Sequence, residues 1–286
     1  MMKPREAHDQ WDLVVTPKSK LFSFPIHELW RYRDLLLMFV KRDIVTMYKQ
    51  TILGPLWFVI QPIMTTVVYM VVFGGIAGIS TDGTPRVLFY SAGIVTWNYF
   101  SESFTSTSKT FIENANLFGK VYFPRIIVPL SKVISGLLKF IVQFLFFAVV
   151  FTYHLYIGTD IHPNSYIFLI PFLVCLMAGI GLGFGVIFTS LTTKYRDLIF
   201  LVQFGIQLLM YATPVIYPMS AIPKEYKIYI MINPVTHIVE AFRFAFLGVG
   251  HWSWVGLGYS AIFTIALVFI GVIIFNRVEK TFMDTV

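Results

Sequence analysis

From the N-terminus onward, short polar stretches alternate with long runs free of Asp, Glu, Lys and Arg. Five such runs cover residues 50–81, 140–159, 161–193, 198–223 and 244–276, and a sixth, 87–108, is interrupted only by Glu102. A helix needs about 20 apolar residues to cross the hydrocarbon core. The runs therefore predict six transmembrane helices near 55–79, 87–107, 135–156, 166–191, 198–217 and 254–275. They are apolar on every face instead of alternating, which argues against barrel strands. The expected fold is all-α and polytopic, with the six spans inside one membrane unit over 52–286.

Three segments fit neither span nor loop. Over 26–51 the pattern is helical and two-faced: Ile26, Leu29, Trp30, Leu36, Leu37, Val40, Ile44, Met47 and Tyr48 on one side, Arg31, Asp34, Lys41, Arg42 and Lys49 on the other. A basic amphipathic helix ahead of a span lies flat in the headgroup region, as an anchor or also as a wall for a partner. Gly54-Pro55 then breaks it where the chain turns into the bilayer, and Pro62 predicts a kink in the first span. The loop between spans two and three, about 112–123, holds a short helix over 113–118 bounded by Gly119 and Pro124. Leaving Leu117, Phe118, Tyr122 and Phe123 in water would be costly, so they dip into the membrane interface or enter a protein groove. After span five, 219–251 predicts an outer helical hairpin, interfacial or re-entrant. Asn233 caps a helix with Pro234 at its first position, Gly248 closes it, and Glu240 and Arg243 pair at i,i+3. This element either caps the bundle or gates it. In span four, Gly179/Gly183 and Gly181/Gly185 interleave two G-x-x-x-G patterns, read as close helix packing.

Composition and charge sharpen the picture. Of 286 residues, 57% are hydrophobic and 13% charged, about half the ~25% charged fraction of a soluble domain. A soluble enzyme is thereby excluded, and the 17% aromatic content excludes disorder. Cys175 is the single cysteine, so no internal disulfide forms and a Cys-based zinc site is not expected. The net charge of +7 marks inner loops, not a nucleic-acid partner. With the N-terminus inside, 18 of the 22 Lys and Arg residues fall in inner segments; only Arg86, Lys224, Lys227 and Arg243 fall outside. The positive-inside rule then puts both termini in the cytoplasm. Residues 1–25 are polar and lack a signal-peptide core, and read as a cytoplasmic tail.

Catalytic patterns are missing. There is no G-x-x-x-x-G-K-[ST], so no P-loop; no metal-ligand spacing among the six histidines; and no G-x-S-x-G elbow. No catalytic residue, metal or cofactor is expected on this chain. An ion-coupled carrier would bury several ionisable groups; only Glu102 qualifies, within reach of Lys109 at i+7. The spans do hold rings and amides: Trp57, Gln61, Tyr69, Phe73, Trp97, Asn98, Tyr99, Phe100, Gln203, Phe204, Gln207, Tyr211 and Tyr217. Packing and interfacial belts account for many of them. The same groups suit a neutral, hydrated, bulky chain such as a sugar polymer.

Several motifs together resemble the membrane subunit of polysaccharide-exporting ABC transporters of the type-2 exporter class, the permeases for O-antigen, teichoic acid and capsule chains. They are Arg42-Asp43, Tyr48-Lys49-Gln50-Thr51-x-Leu53-Gly54-Pro55-x-Trp57 with Gln61-Pro62, and Asn114-Ala115-Asn116-Leu117. Lys120-Val121-Tyr122-Phe123-Pro124-Arg125, Tyr195-Arg196-Asp197, Pro214-Val215-Ile216-Tyr217-Pro218 and Asn233-Pro234 through Glu240, Arg243 and Gly248 complete the set. The resemblance implies a homodimer, two separate cytoplasmic ABC ATPase subunits that bind the ATP and Mg, and an undecaprenyl-linked polysaccharide as substrate, in the bacterial inner membrane. It implies ATPase coupling through Glu113, Asn114, Asn116, Leu117, Phe118, Lys120, Tyr122 and Phe123, and an interface helix with Arg42, Asp43, Tyr48 and Lys49. Spans one and five would line the channel, making Trp57, Gln61, Tyr69, Phe73, Phe204, Gln207, Tyr211 and Tyr217 candidate lining residues, with Trp97 and Tyr99 added from span two. Asn233, Glu240 and Arg243 would form the outer gate. Phe118-Gly119 departs from the aliphatic–basic pair common at that place in the family. A type-2 permease for drugs or lipids is the alternative within this fold; an ion-driven carrier or membrane-embedded transferase would be a different class.

Overall fold

The computed structural model describes residues 26–49, 51–118, 123–192 and 194–282; the tail 1–25 lies outside them. Helices α1 (Ile26–Arg31) and α2 (Arg33–Tyr48) lead through the 3-10 turn Gly54–Leu56 into α3 (Trp57–Tyr69). Then come α4 (Arg86–Ser108), the short α5 (Thr110–Glu113) and α6 (Ala115–Phe118), α7 (Ile127–Tyr156) and α8 (Ile170–Thr192). Last are α9 (Leu198–Tyr211), α10 (Lys224–Ile232), α11 (Pro234–Leu247) and α12 (Trp254–Phe282). No strand occurs among the described residues. The architecture is that of an all-α polytopic membrane protein.

Four helical stretches are long and apolar enough to cross a bilayer unaided: Gly54–Ile76, Ile127–Tyr156, Ser165–Thr192 and Trp254–Val278. The other two expected spans differ for physical reasons. Helix α4 has the length, but Arg86, Glu102 and its hydroxyls lower its hydropathy. It lies at the centre, packed against α3, α7, α8, α9 and α11, so protein and not lipid surrounds it. Helix α9 has 14 residues, about 21 Å at 1.5 Å per residue, against a core of about 30 Å. It stops at Tyr211 and not at the expected 217, because Pro214 and Pro218 lack the N–H groups that would continue the ladder.

The glycines of α8 show why the bundle is tight. A Cβ on Gly179 or Gly183 would lie 2.4 Å from Thr264 or 2.8 Å from Leu267 of α12, and one on Gly181 or Gly185 would lie 2.6 Å from Ser103 or 2.4 Å from Thr107 of α4. Each interleaved G-x-x-x-G pattern thus faces a different neighbour, and only a missing side chain allows both approaches. Pro62 does not end α3. The helix continues to Tyr69 and changes register at Met70, passing into a π-helical stretch over Met70–Ile76.

The helix predicted after Asn233 exists with the predicted caps. Asn233 Oδ1 accepts the N–H of Val235 at 3.1 Å, and Gly248 adopts φ 73°. Its placement differs from an interfacial one: α10 and α11 meet at 103°, and α11 is buried along nearly its whole length. Backbone groups inside a bundle must find partners. The last carbonyls of α10, at Ile230 and Ile232, accept from Thr236 Oγ1 at 2.8 Å and Tyr259 Oη at 2.7 Å. Those of α11, at Phe244 and Ala245, accept from Asn164 Nδ2 at 2.8 Å and Asn164 N at 3.1 Å.

Candidate functional site

At the basic end of the bundle, α2 packs along α7. The side turned toward α7 carries Phe39 and Asp43, whereas Trp30 and Leu37 of the apolar side are exposed together with Met38. Asp43 is 6% exposed, and a buried carboxylate persists only when paired. Arg42 Nη2 reaches it at 2.9 Å, Lys132 Nζ of α7 at 3.5 Å, and Ser131 Oγ donates at 3.3 Å. Lys132 also lies 3.5 Å from Glu113 Oε2, so one ammonium joins the amphipathic helix to the loop that follows span two.

That loop turns its rings inward. Phe118 and Phe123 are 3% and 4% exposed. Phe118 packs 5.4 Å from Phe111, which stacks on Phe275 of α12 at 4.9 Å, and Phe39 of α2 lies 5.6 Å from Phe123. Neither membrane nor partner is needed to cover Phe118 and Phe123; the chain covers them itself. Asn114 is also buried, donating to Thr110 O at 3.0 Å. The groups that face outward are Glu113 and Asn116, with Leu117 partly covered. Lys120, Tyr122 and the side chain of Tyr48 lie outside the described residues; Lys49 is exposed.

A second surface runs along α3 and α9. Only 11% of the Gly54–Ile76 window is buried, against 33% for the other three crossing helices. Trp57, Gln61, Phe204, Gln207 and Tyr211 are exposed, and Tyr69, Phe73 and Tyr217 partly so. The two helices touch where Tyr69 Oη meets Met210 Sδ at 3.4 Å, and Tyr217 Oη donates to Tyr211 O at 2.8 Å. Trp97 and Tyr99 do not join this surface: at 4% and 3% exposed they are core residues, Trp97 against Phe100 and Tyr99 against Phe140. Glu102 pairs with Lys139 of α7 at 2.5 Å instead of with Lys109, which neutralises the one acid expected inside a span.

At the far end, Arg243 and Glu240 are 1% and 2% exposed. Their predicted pairing is present, Nη1 to Oε1 at 3.3 Å. Glu240 Oε2 accepts the N–H of His251 at 2.8 Å. Arg243 donates to the carbonyls of Pro214 and Val215 and lies 3.8 Å above the Phe89 ring. Asn233 Nδ2 donates to Thr213 Oγ1 at 2.8 Å, so the elbow of the hairpin is tied to the segment that follows α9. Pattern alone did not single out Lys132 or Lys139. The spacing Lys132–Ser135–Gly136–Lys139 on one face of α7 was the available signal for both.

Among the described residues no cluster of His, Cys, Asp or Glu could hold a metal ion. What the geometry defines is a helical membrane protein with an uncharged exposed face along α3 and α9, an ion-paired cluster at its basic end and a buried hairpin at the other. Residues 34–247 match the family model described as ABC-2 type transporter. The chain belongs to that family. It is 28% identical over 254 residues to an O-antigen export system permease protein of Klebsiella pneumoniae, covering 88% of this chain and 94% of that one. Identity is 26% over 223 residues to the Myxococcus xanthus protein of the same description, covering 77% and 83%. It is 26% over 249 residues to a polysialic acid transport protein of Escherichia coli, covering 85% and 93%.

Proposed function

We propose that this chain is the membrane permease of an ABC exporter for a lipid-linked, O-antigen-like polysaccharide, acting as a homodimer on two copies of a separate ATPase. The observation that carries this reading is the exposed surface of α3 and α9, which meet at Tyr69 and Met210 and carry rings and amides among aliphatic side chains, with no charge. A neutral hydrated polymer calls for such a surface. Sugar C–H faces pack on aromatic planes, and amides and phenols exchange hydrogen bonds with hydroxyls. Relatives named for O-antigen export and polysialic acid transport support a polysaccharide substrate, and those named for O-antigen export support its O-antigen-like kind. On this reading a second copy closes the conduit with its own α3 and α9, and Trp57, Gln61, Tyr69, Phe73, Phe204, Gln207, Tyr211 and Tyr217 line it.

Energy would enter through Glu113, Asn116 and Leu117, with α2 as the flanking interface helix and Lys132 joining the two. ATP and Mg belong to the ATPase. Phe118 and Phe123 would support the dock from behind. Six crossings, with both termini in the cytoplasm, follow if α9 and the non-helical stretch after it together make the fifth. The hairpin α10–α11 would then enter and leave by the outer face. Deleting the gene should leave lipid-linked polymer on the inner side of the membrane and none on the surface. Normal surface polymer in the deletion strain refutes the proposal.

A further inference from the structure

Arg243 is among the largest side chains fully enclosed by the described residues, and a buried ion pair is weak evidence for stability, since apolar residues of similar volume often serve as well. Its contacts give a more specific role. Helix α9 ends at Tyr211, and in a continued helix the carbonyl of Pro214 would accept from the backbone nitrogen of Pro218, which carries no hydrogen. That carbonyl needs a donor from elsewhere. Arg243 supplies one to Pro214 O and a second to Val215 O, while Glu240 of its own helix holds the guanidinium in place. A planar fork with five N–H donors serves two neighbouring carbonyls and a carboxylate together; a lysine ammonium does not match that geometry. There is no slack behind it: a Cβ on Gly93 of α4 would lie 2.7 Å from both Arg243 Nη2 and Val215 O.

We propose that Arg243 is a positioning residue that clamps the outer end of α9 to α11, so that the conduit helix and the outer hairpin move as one body and the conduit stays closed at rest. The inference rests on the reading of α9 as a conduit helix. Two other contacts fix the ends of the clamp: Asn233 to Thr213 at the elbow, and Glu240 to the His251 N–H beyond α11. Motion imposed on α9 from the basic end is then delivered to the hairpin through Pro214 and Val215, and not through loose packing.

The test reconstitutes the full chain with its ATPase in liposomes, without nucleotide, and measures escape of a trapped small dye. Arg243→Lys keeps the charge and loses the fork. The double change Glu240→Met with Arg243→Met removes both charges, leaves no unpaired one and breaks the clamp. The control, Val149→Ala, shortens an exposed side chain of α7 that takes no part in the clamp. Helicity and gel filtration report folding. Both clamp variants should leak roughly tenfold faster than the parent, the scale set by losing one hydrogen bond to a charged group, and the control should not. Folded clamp variants that stay as tight as the parent overturn the clamp, as does failure of both to fold, which would make the pair a folding requirement only. Leakage from the control to the same extent also overturns it. Loss of the conduit reading is separate and shows as normal surface polymer in the deletion strain.

Discussion

Truncating Phe118 to alanine separates a core ring from a docking ring. The side chain is 3% exposed and is held by Phe111 at 5.4 Å, Phe123 at 5.9 Å and the Arg125 guanidinium 5.7 Å from its centroid. Those neighbours belong to α5, to the entry to α7 and, through Phe275, to α12, so no single element can shift to refill the space. Loss of burial costs about 1.5–3 kcal/mol, and with the residual cavity a Phe→Ala change costs about 3–5 kcal/mol. At about 2 °C per kcal/mol for a chain of this length, the melting temperature of the purified permease in detergent should fall by roughly 6–10 °C. The exposed Asn116→Ala, two residues earlier, should move stability by no more than about 0.5 kcal/mol while weakening recovery of the ATPase in a pull-down. A Phe118→Ala protein that melts like the parent yet loses its ATPase would refute the burial argument and return the ring to the dock.

Three further outcomes follow from other contacts. Replacing Asp43 by Asn and Lys132 by Met, singly and together, should give a coupling energy of about 1 kcal/mol in a double-mutant cycle on melting; additivity would show that the pair does not join α2 to α7. Gly185→Val, whose Cβ would lie 2.4 Å from Thr107, should lower the yield of folded permease sharply, whereas Gly205→Val, with nothing within 4 Å, should not; equal yields would contradict the close α4–α8 contact. Trp57→Ala and Tyr211→Ala should reduce surface polymer with unchanged melting, and Trp97→Ala should do the reverse, lowering melting first; polymer loss confined to Trp97 would move the lining to α4.

The positions of the helices and the caps of α11 were legible because they are local properties of the chain. Asn233, Pro234 and Gly248 act within a few residues of themselves, and the i,i+3 spacing of Glu240 and Arg243 brought them together as expected. Their burial was not legible. Seen along one helix, a Glu and an Arg opposite Val235, Ile238 and Phe242 look like a solvated face. They are polar because two carbonyls some 28 residues earlier need donors, which is a fact of tertiary structure. The same blind spot explains Glu102, whose partner Lys139 lies on another helix, and Phe118, whose cover comes from Phe111 and Phe275. It also explains Trp97 and Tyr99: a ring in a span has the same pattern whether it faces a conduit or a core. The contact of α3 with α9 at Tyr69 and Met210 was not legible either, since periodicity does not say which helices meet.

Helix α8 gives its even-spaced glycines to two neighbours at once, so α4, α8 and α12 cannot drift apart independently; a change on one seam disturbs the other. Helices α3 and α9 carry no such obligation, and their outward side chains can be exchanged without unseating the bundle. If α3 and α9 line the conduit as proposed, evolution toward a new cargo would rewrite those two helices while the three-helix keel stays as it is.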